Sequence, residues 1–354
     1  MSDTSKGAVS ARPPSRFSFA LRRQGLGVNI ILALALSIVC AALLIALAGR
    51  SPLTGFLAIL DGAFGTAHQI GASLNRSTPY LLSGVGVAIC LRAGIINLGA
   101  EGQIALGGAG AAAAALVLPD APPIVAITLA LAAGALAGAA WSGLATVIHL
   151  GRRVHEVLVT ILLNFIALLL VQQLLAGALG QTGAGFLQSP LMPRTAWLPR
   201  MPDFDAHIGI LVAGIAAIGS SFLIWRTPFG FGLRVAGASR LAAAYAGFSR
   251  TRLTWGAMLL AGAFAGLAGG IEVLGIHRRL IEGFSLGFGF KAVTVALLGA
   301  TEPLAVIPAA LFIGFLETGS LAMQRQIGVP TALVTVIEGL TMVFVLVAMA
   351  ARRK

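Results

Sequence analysis

Residues 157–178 read VLVTILLNFIALLLVQQLLAGA, an apolar run of about twenty residues without a charged side chain. A helix of that length crosses the hydrocarbon core of a bilayer. Comparable runs recur near residues 28–48, 77–92, 102–118, 124–149, 207–225, 255–275, 288–301, 303–323 and 331–350. We therefore predict an all-α fold, a polytopic transmembrane helical bundle of about ten helices, of which the second and eighth are short. A count of eight or nine spans stays open, because the short spans can be re-entrant.

The composition of the chain supports a membrane location. Hydrophobic residues make up 58% of it and charged residues 10%, whereas a soluble domain carries roughly 25% charged residues. Transmembrane β-barrels alternate apolar and polar residues, so the continuous runs favour helices. Runs of small residues, as in 107–110 and 262–266, predict close helix packing. Cys40 and Cys90 lie within apolar spans and form no metal-ligand or disulfide pattern.

Positive residues are concentrated in short connections and tails. They occur in the N-terminal tail 1–27, at Arg152–Arg153, in the segment 226–254 and in the C-terminal tail, and 226–254 has no acidic residue. Because cytoplasmic loops carry the excess of Lys and Arg, we expect these parts and both termini to be cytoplasmic. The chain then divides into a cytoplasmic tail, 1–27, and a membrane domain, 28–351. The net charge of +12 is spread between apolar spans and so does not indicate nucleic-acid binding.

Two glycine-rich stretches, 92–110 and 283–303, interrupt the apolar pattern in roughly corresponding positions of the two halves. Broken membrane helices are tolerated only beside protein or a water-filled cavity, and paired breaks indicate a pathway near the midplane. The first stretch contains Asn97, Glu101 and Gln103, which are costly to bury unpaired. We predict that they line this pathway, and the alternative is an interfacial loop with solvated polar groups.

Other polar and aromatic side chains are weaker candidates for the pathway. Asn164 lies eight residues after Glu156, close to one face of the same helix. Phe284, Phe288 and Phe290 flank the second break and can stack on a nucleobase or sugar ring. Phenylalanine is also common in lipid-facing packing, so that interpretation stays open.

Four ordered motifs carry a family resemblance. They are Leu91–Gln103, His155–Asn164, Ala236–Gly247 and Gly287–Gly299. They resemble the signature of permease subunits in bacterial ABC importers for nucleosides and simple sugars, a branch related to ribose permeases, and the resemblance covers about residues 75–350. It implies transport of nucleosides or similar small solutes across the bacterial cytoplasmic (inner) membrane.

The resemblance also implies partners. These are an ABC ATPase on a separate chain, a second permease in a homodimer or heterodimer, and an extracytoplasmic substrate-binding protein. The chain has no G-x-x-x-x-G-K-[ST] motif to hold ATP phosphates, so we expect ATP and magnesium on the ATPase. We expect no cofactor, metal or nucleic acid on this chain, and no catalytic residue.

The segment 226–254 falls where the family has its coupling helix. Its centre, Leu241–Tyr245, favours a helix that Gly247 closes. The residues predicted to act in coupling to the ATPase are Arg234, Gly237, Ala243, Tyr245 and Gly247. The alternative is a positive loop that only sets the topology.

The chain departs from the family pattern at two places. Lys291, which we include among the pathway residues, stands where many relatives are expected to have an acidic residue, and Thr301–Glu302 replaces a basic and polar pair. These departures leave the substrate open, and a simple-sugar permease is the nearest alternative. A proton-coupled secondary transporter using Glu101, Glu156 or Glu317 is a further alternative. A membrane-embedded enzyme would need a catalytic pair, which the sequence does not display.

Overall fold

The computed structural model describes residues 35–350, apart from the side chains at positions 331, 345 and 348–350. The helices are α1 (Ala35–Leu47), α2 (Pro52–Phe64), α3 (Ala67–Arg92), α4 (Ala100–Val117), α5 (Pro123–Arg152), α6 (Glu156–Ala176), α7 (Gly209–Arg226), α8 (Pro228–Ala238), α9 (Arg240–Tyr245), α10 (Arg250–Glu272), α11 (Phe288–Leu298), α12 (Pro303–Ile327) and α13 (Thr331–Ala350). The predicted tail 1–27, the start of the first span and residues 351–354 lie outside the described residues.

Six helices in the described range are long and apolar enough to cross a membrane. They are α4, α5, α6, α7, α12 and α10, the last with its π-helical extension to His277. The bent pair α1–α2 passes the same test as one broken span, and α11 and the segment Ala332–Phe344 are shorter apolar helices. The prediction of a polytopic helical membrane protein is therefore confirmed.

Two elements differ from the sequence-based prediction. The second span is not short, because α3 has 26 residues and is about 39 Å long at 1.5 Å per residue. The first half of α3 contains polar residues, so the apolar pattern did not reveal that part of the helix. One of these residues, Asn75, bonds to the backbone of Asp205 and His207 and does not face lipid. In addition, residues 52–64, which the apolar pattern leaves between two spans, form α2, bent by 116° from α1.

The centre of the bundle is formed by α4, α5 and α10, whose backbones are almost in contact. A Cβ at Gly266 would lie 2.2 Å from the carbonyl oxygen of Gly134 and 2.9 Å from the Cα of Gly138. A Cβ at Gly107 would lie 2.2 Å from the Cα of Gly266. The close packing predicted from the small residues is confirmed, and only glycine fits at this crossing.

The bundle has two distinct ends. One, which we call the arginine-rich end, carries α8, α9 and the turns at 93–99 and 299–302. The other, the loop end, is covered by residues 177–208. This loop bonds to the chain that follows α10, through Ser189 N to Leu280 O (2.8 Å) and Met192 N to Arg278 O (2.9 Å).

The glycine crossing predicts the effect of a single methyl group. Gly266→Ala should lower the free energy of unfolding of the purified protein by about 1–3 kcal/mol, because the added Cβ overlaps backbone atoms of α5. Gly219→Ala on α7 is the matched control, since nothing lies within 4 Å of its Cβ position. The control should leave the stability unchanged or raise it by up to about 1 kcal/mol through helix propensity. Thermal unfolding in detergent measures both, and equal effects would contradict the packing.

Candidate functional site

The first break, residues 93–99 between α3 and α4, is held by buried amide side chains. The carboxamides of Asn97 and Gln103 bond to each other, each donating to the other at 3.3 Å. The Oδ1 atom of Asn97 also accepts from the backbone of Gly99 at 2.9 Å. Both side chains are about 1% exposed, so in this structure they satisfy the turn instead of lining an open surface.

Asn164 performs the same task from α6. Its Oδ1 atom accepts from the backbone N–H of Gly102 at 2.9 Å, and its amide donates to the carbonyl of Leu98 at 2.8 Å. Gly102 lies in the first turn of α4, where backbone N–H groups have no partner within the helix. A side chain from another helix therefore caps α4.

Glu101 joins the first break to the second. Its carboxylate accepts from the backbone N–H of Gly287 at 2.9 Å and of Gly289 at 2.8 Å. These two glycines begin α11, and Gly287 has a φ of +91°. A carboxylate is favoured at a helix N-terminus, where unpaired N–H groups and the helix dipole are both positive. Thus α4 supplies the cap of α11.

The approach between these two segments is close. A Cβ at Gly289 would lie 2.1 Å from the backbone nitrogen of Glu101. Glu101 is 1% exposed, and water cannot replace it as the acceptor. The two breaks that the sequence places far apart are thus one contiguous structure.

A second group of polar residues lies between α3, α11, α12 and α13, and we call it the charged cluster. Its members are Arg76, Tyr80, Lys291, Glu317 and Glu338. Glu317 is the centre, because it pairs with Arg76, accepts from the Tyr80 hydroxyl, and lies 3.2 Å from the Lys291 Nζ atom. Lys291 also contacts Glu338 at 3.1 Å.

Aromatic rings adjoin the charged cluster. The Arg76 guanidinium lies 4.6 Å from the centroid of Phe288, and the rings of Tyr80 and Phe288 are 5.3 Å apart in an edge-to-face arrangement. Phe288 is buried, whereas Phe290 is 48% exposed. Of the predicted pathway residues, Phe288 and Lys291 therefore come together with residues of α3, α12 and α13.

Phe284 lies apart from that cluster. Its ring meets α4 at Gly108, where an added Cβ would be 2.3 Å from the ring, and it makes an edge contact with His277 at 6.3 Å. Glu282, at the neighbouring turn, accepts from Gln172 at 2.9 Å. Phe284, Glu282 and Gln172 line a cavity of about 150 Å³ beside α6.

At the arginine-rich end, α8 packs directly on the first break. A Cβ at Gly237 would lie 2.1 Å from the carbonyl oxygen of Arg92, and one at Gly94, whose φ is +72°, would lie 3.3 Å from the Gly237 Cα. The predicted short helix is present as α9, and Gly247, with a φ of +78°, follows it. Segment 226–254 therefore touches the backbone of the break itself.

The short helix α9 presents an apolar surface at this end. Tyr245 is 92% exposed and Leu241 is 73% exposed, whereas Ala243 is buried. Arg234, on α8, lies against the Trp225 ring, 4.5 Å from its centroid. The candidate coupling residues thus divide into an exposed face and a packed base.

Glu302 connects the same end to the second break. Its carboxylate pairs with Arg92 at 2.7 Å and accepts from the Trp225 indole at 2.9 Å. The Arg92 Nε–H also donates to the carbonyl of Thr301 at 3.3 Å. The unusual Thr301–Glu302 pair is thereby explained, because it binds the end of α3 to the turn between α11 and α12.

Sequence reasoning missed two members of the charged cluster, Arg76 and Tyr80. Arg76 fell one residue outside the predicted span, and Tyr80 looked like an ordinary apolar residue. Their spacing of four residues places both on one face of a helix, and this spacing could have indicated that they belong to one site.

The remaining acidic candidate, Glu156, and a further acidic residue, Glu272, lie elsewhere. Glu156 is 3.7 Å from His149 and 3.8 Å from His155, at the start of α6. Glu272, near the end of α10, lies 3.5 Å from His277. Glu101, Glu156 and Glu317 have different partners, and within residues 35–350 no hydrogen bond joins any two of them.

The described chain is a multi-pass helical bundle with two joined breaks in its interior and a helical projection packed on one of them, an arrangement that suits a membrane permease. Residues 69–346 match the family model described as the branched-chain amino acid transport system permease component. The chain belongs to this family, whose members here are permease subunits of ABC transporters, with the ATPase on a separate chain.

Three relatives illustrate the membership. A guanosine ABC transporter permease of Bacillus subtilis is 34% identical over 91% of this chain and 93% of its own length. A glucose ABC transporter permease of Haloferax volcanii is also 34% identical, over 82% of this chain and 78% of its own. A nucleoside ABC transporter permease of Lactococcus lactis is 28% identical over 90% of both chains. The solutes in the names of these relatives differ, since two are nucleoside permeases and one is a glucose permease.

The cap of α11 predicts a loss of stability on substitution of Glu101. Glu101→Gln should lower the free energy of unfolding by about 1–3 kcal/mol, because one buried N–H group loses its acceptor. Glu282→Gln makes the same change at an exposed position and should stay within about 0.5 kcal/mol. Thermal unfolding of the two purified variants compares them. A Glu101→Gln protein as stable as its control would contradict the proposed cap.

Proposed function

We propose that this chain is the permease subunit of an ATP-driven importer that carries nucleosides, or similar small solutes, into the cytoplasm. The observation that carries this proposal is the similarity to the guanosine permease, which extends over 91% of this chain and 93% of that one. The nucleoside permease from Lactococcus lactis supports the same substrate class.

The proposal includes the topology and the location. Ten helices lie in the bacterial cytoplasmic (inner) membrane, with both termini and the arginine-rich end in the cytoplasm. Arg152, Arg234, Arg240 and Arg250 are support for this orientation, since positive residues collect on the cytoplasmic side. The loop end then faces outward.

The two ends suit different partners. An ATPase subunit, which holds ATP and magnesium, docks on the exposed residues of α9. An extracytoplasmic substrate-binding protein delivers solute at the loop end, over residues 177–208. A second permease subunit, identical or similar, completes the membrane core. This chain itself then needs no cofactor.

Transport follows from the contacts at the breaks. Closure of the ATPase on ATP displaces α9 and α8, and Gly237 transmits the displacement to the turn at 93–99 because their backbones touch. Arg92 extends it through Glu302 to the end of α11. The solute then passes Phe284, Phe288 and Lys291, while Asn97, Gln103 and Asn164 hold the first break beside the pathway.

A simple-sugar importer is the second candidate. The observation in its favour is the glucose permease of Haloferax volcanii, which is as similar in identity as the guanosine permease. A proton-coupled transporter is less well supported, since Glu101 is engaged as a helix cap and Glu317 in ion pairs.

Uptake by the reconstituted complex tests the function. Permease, ATPase and binding protein should together import labelled guanosine into proteoliposomes when ATP is supplied on the ATPase side. Glucose and ribose are measured beside it, and the control omits ATP. Uptake of glucose alone would favour the sugar importer. Guanosine uptake by the permease alone under a proton gradient would contradict the proposal.

Because Leu241 and Tyr245 are exposed on α9, their substitution should weaken binding of the ATPase without unfolding the permease. Tyr245→Ala together with Leu241→Ala should reduce recovery of the ATPase with the purified permease at least tenfold, because both side chains are available for contact. Phe186→Ala, at the loop end, also removes an exposed aromatic ring and should not alter recovery of the ATPase. Unchanged recovery of the ATPase with the double variant would argue against this docking site.

A further inference from the structure

The charged cluster lies about halfway along α3. Tyr80 is close to the midpoint of α3, which extends from Ala67 to Arg92. A charged side chain at the bilayer centre costs about 2.5–3.5 kcal/mol or more when it faces lipid. Such residues therefore face the interior of a bundle or a water-filled cavity.

The two cations of this cluster are only partly enclosed. The side chains of Arg76 and Lys291 are 33% and 25% exposed, whereas those of Glu317 and Glu338 are 8% and 7% exposed. The carboxylates thus form the base of the cluster and the cations its open side. Because lipid is an unfavourable neighbour, the open side suits water and a polar solute.

Charge balance limits the kind of solute. Arg76 and Lys291 are matched by Glu317 and Glu338, and each cation already has a carboxylate partner. A phosphate group would lose its hydration and find no uncompensated positive charge. A neutral molecule with hydroxyl and amide groups can exchange hydrogen bonds with the same side chains at a lower cost.

Aromatic rings support the cations from the closed side of the cluster. Phe288 lies beneath Arg76 at 4.6 Å and beside Tyr80 at 5.3 Å. Tyr80 is 1% exposed and Phe288 is 2% exposed. These rings therefore hold the Arg76 guanidinium in place, and the two cations are the groups that a solute can contact.

We propose that the charged cluster is a solute-contacting site of the translocation pathway, which accepts neutral polar solutes such as nucleosides and excludes their phosphorylated forms. The inference rests on the proposed function and adds to it Arg76 as a contact residue beside Lys291, with Tyr80, Glu317 and Glu338 as positioning residues that hold the two cations. It also assigns Lys291 a role, as the cation whose charge is balanced by Glu338.

Thiol accessibility tests the site in the complete complex. In a Cys40→Ala, Cys90→Ala background, Lys291→Cys is compared with Phe290→Cys, the adjacent and more exposed position on the same helix. A membrane-impermeant, positively charged methanethiosulfonate should modify position 291 at least tenfold faster, because water and not lipid reaches it. Guanosine present during ATP-driven turnover should slow that modification at least threefold, and guanosine monophosphate should not.

Loss of Lys291 leaves Glu338 without its partner and can prevent assembly of the complex. In that case the same accessibility measurement is made on the double variant Lys291→Cys, Glu338→Gln, in which the unpaired carboxylate is removed. Equal reactivity at positions 290 and 291, or modification that guanosine does not slow, would overturn the site. Equal protection by guanosine monophosphate would overturn the exclusion of phosphorylated solutes.

The unsubstituted complex is assayed first for guanosine uptake. Absence of uptake there counts against the proposed function. Absence of protection in a complex that does import guanosine counts against this inference alone.

Discussion

The lipid bilayer offers no hydrogen-bond partners, so a helix that stops inside it must find them in other parts of the protein. This constraint governs the centre of the molecule. The carboxylate of Glu101 supplies the acceptor for the first N–H groups of α11, and the amide of Asn164 does the same for α4. Without these side chains the two breaks would each leave buried donors unpaired, at a cost of about 1–3 kcal/mol per group.

The breaks also shorten the distance over which a movement must travel. One end of the first break touches α8 through the backbones of Arg92 and Gly237, and its other end leads to Glu101 and so to α11. The turn after α11 returns to Arg92 through Glu302. The segment at the surface and the start of α11 are therefore connected by a continuous series of contacts through backbone atoms and the side chains of Arg92, Glu101 and Glu302.

The sequence predicted most of this fold because the bilayer imposes a simple pattern. Apolar runs located the long helices within a few residues, and Gly247 marked the end of α9 as helix-capping rules indicate. Prediction failed for α3, whose polar first half is paired with the loop end and with α12 instead of being exposed. An apolar run shows that a helix is in the membrane, but polar residues inside a membrane helix are informative only when their partners are known.

The site was harder to predict because its contacts join residues far apart in the chain. Glu101 meets Gly287 and Gly289, and Arg92 meets Glu302. Glycine, acidic and amide residues in the two breaks indicated that these regions are special. Their spacing could not reveal that Asn97 and Gln103 bond to each other, or that Glu101 bonds to the backbone of a different helix.

That last contact has a consequence for how the protein can change by mutation. Only one partner, Glu101, is a side chain, and the other consists of main-chain N–H groups that any residue except proline supplies. A substitution at position 101 therefore has no compensating charge reversal on α11, unlike a pair such as Arg92 and Glu302, in which both members can be exchanged. At position 289 the 2.1 Å approach admits nothing larger than glycine. At the junction of the two breaks, a substitution in one half of the chain therefore cannot be compensated by a substitution in the other half. Positions 101 and 289 each tolerate few residues.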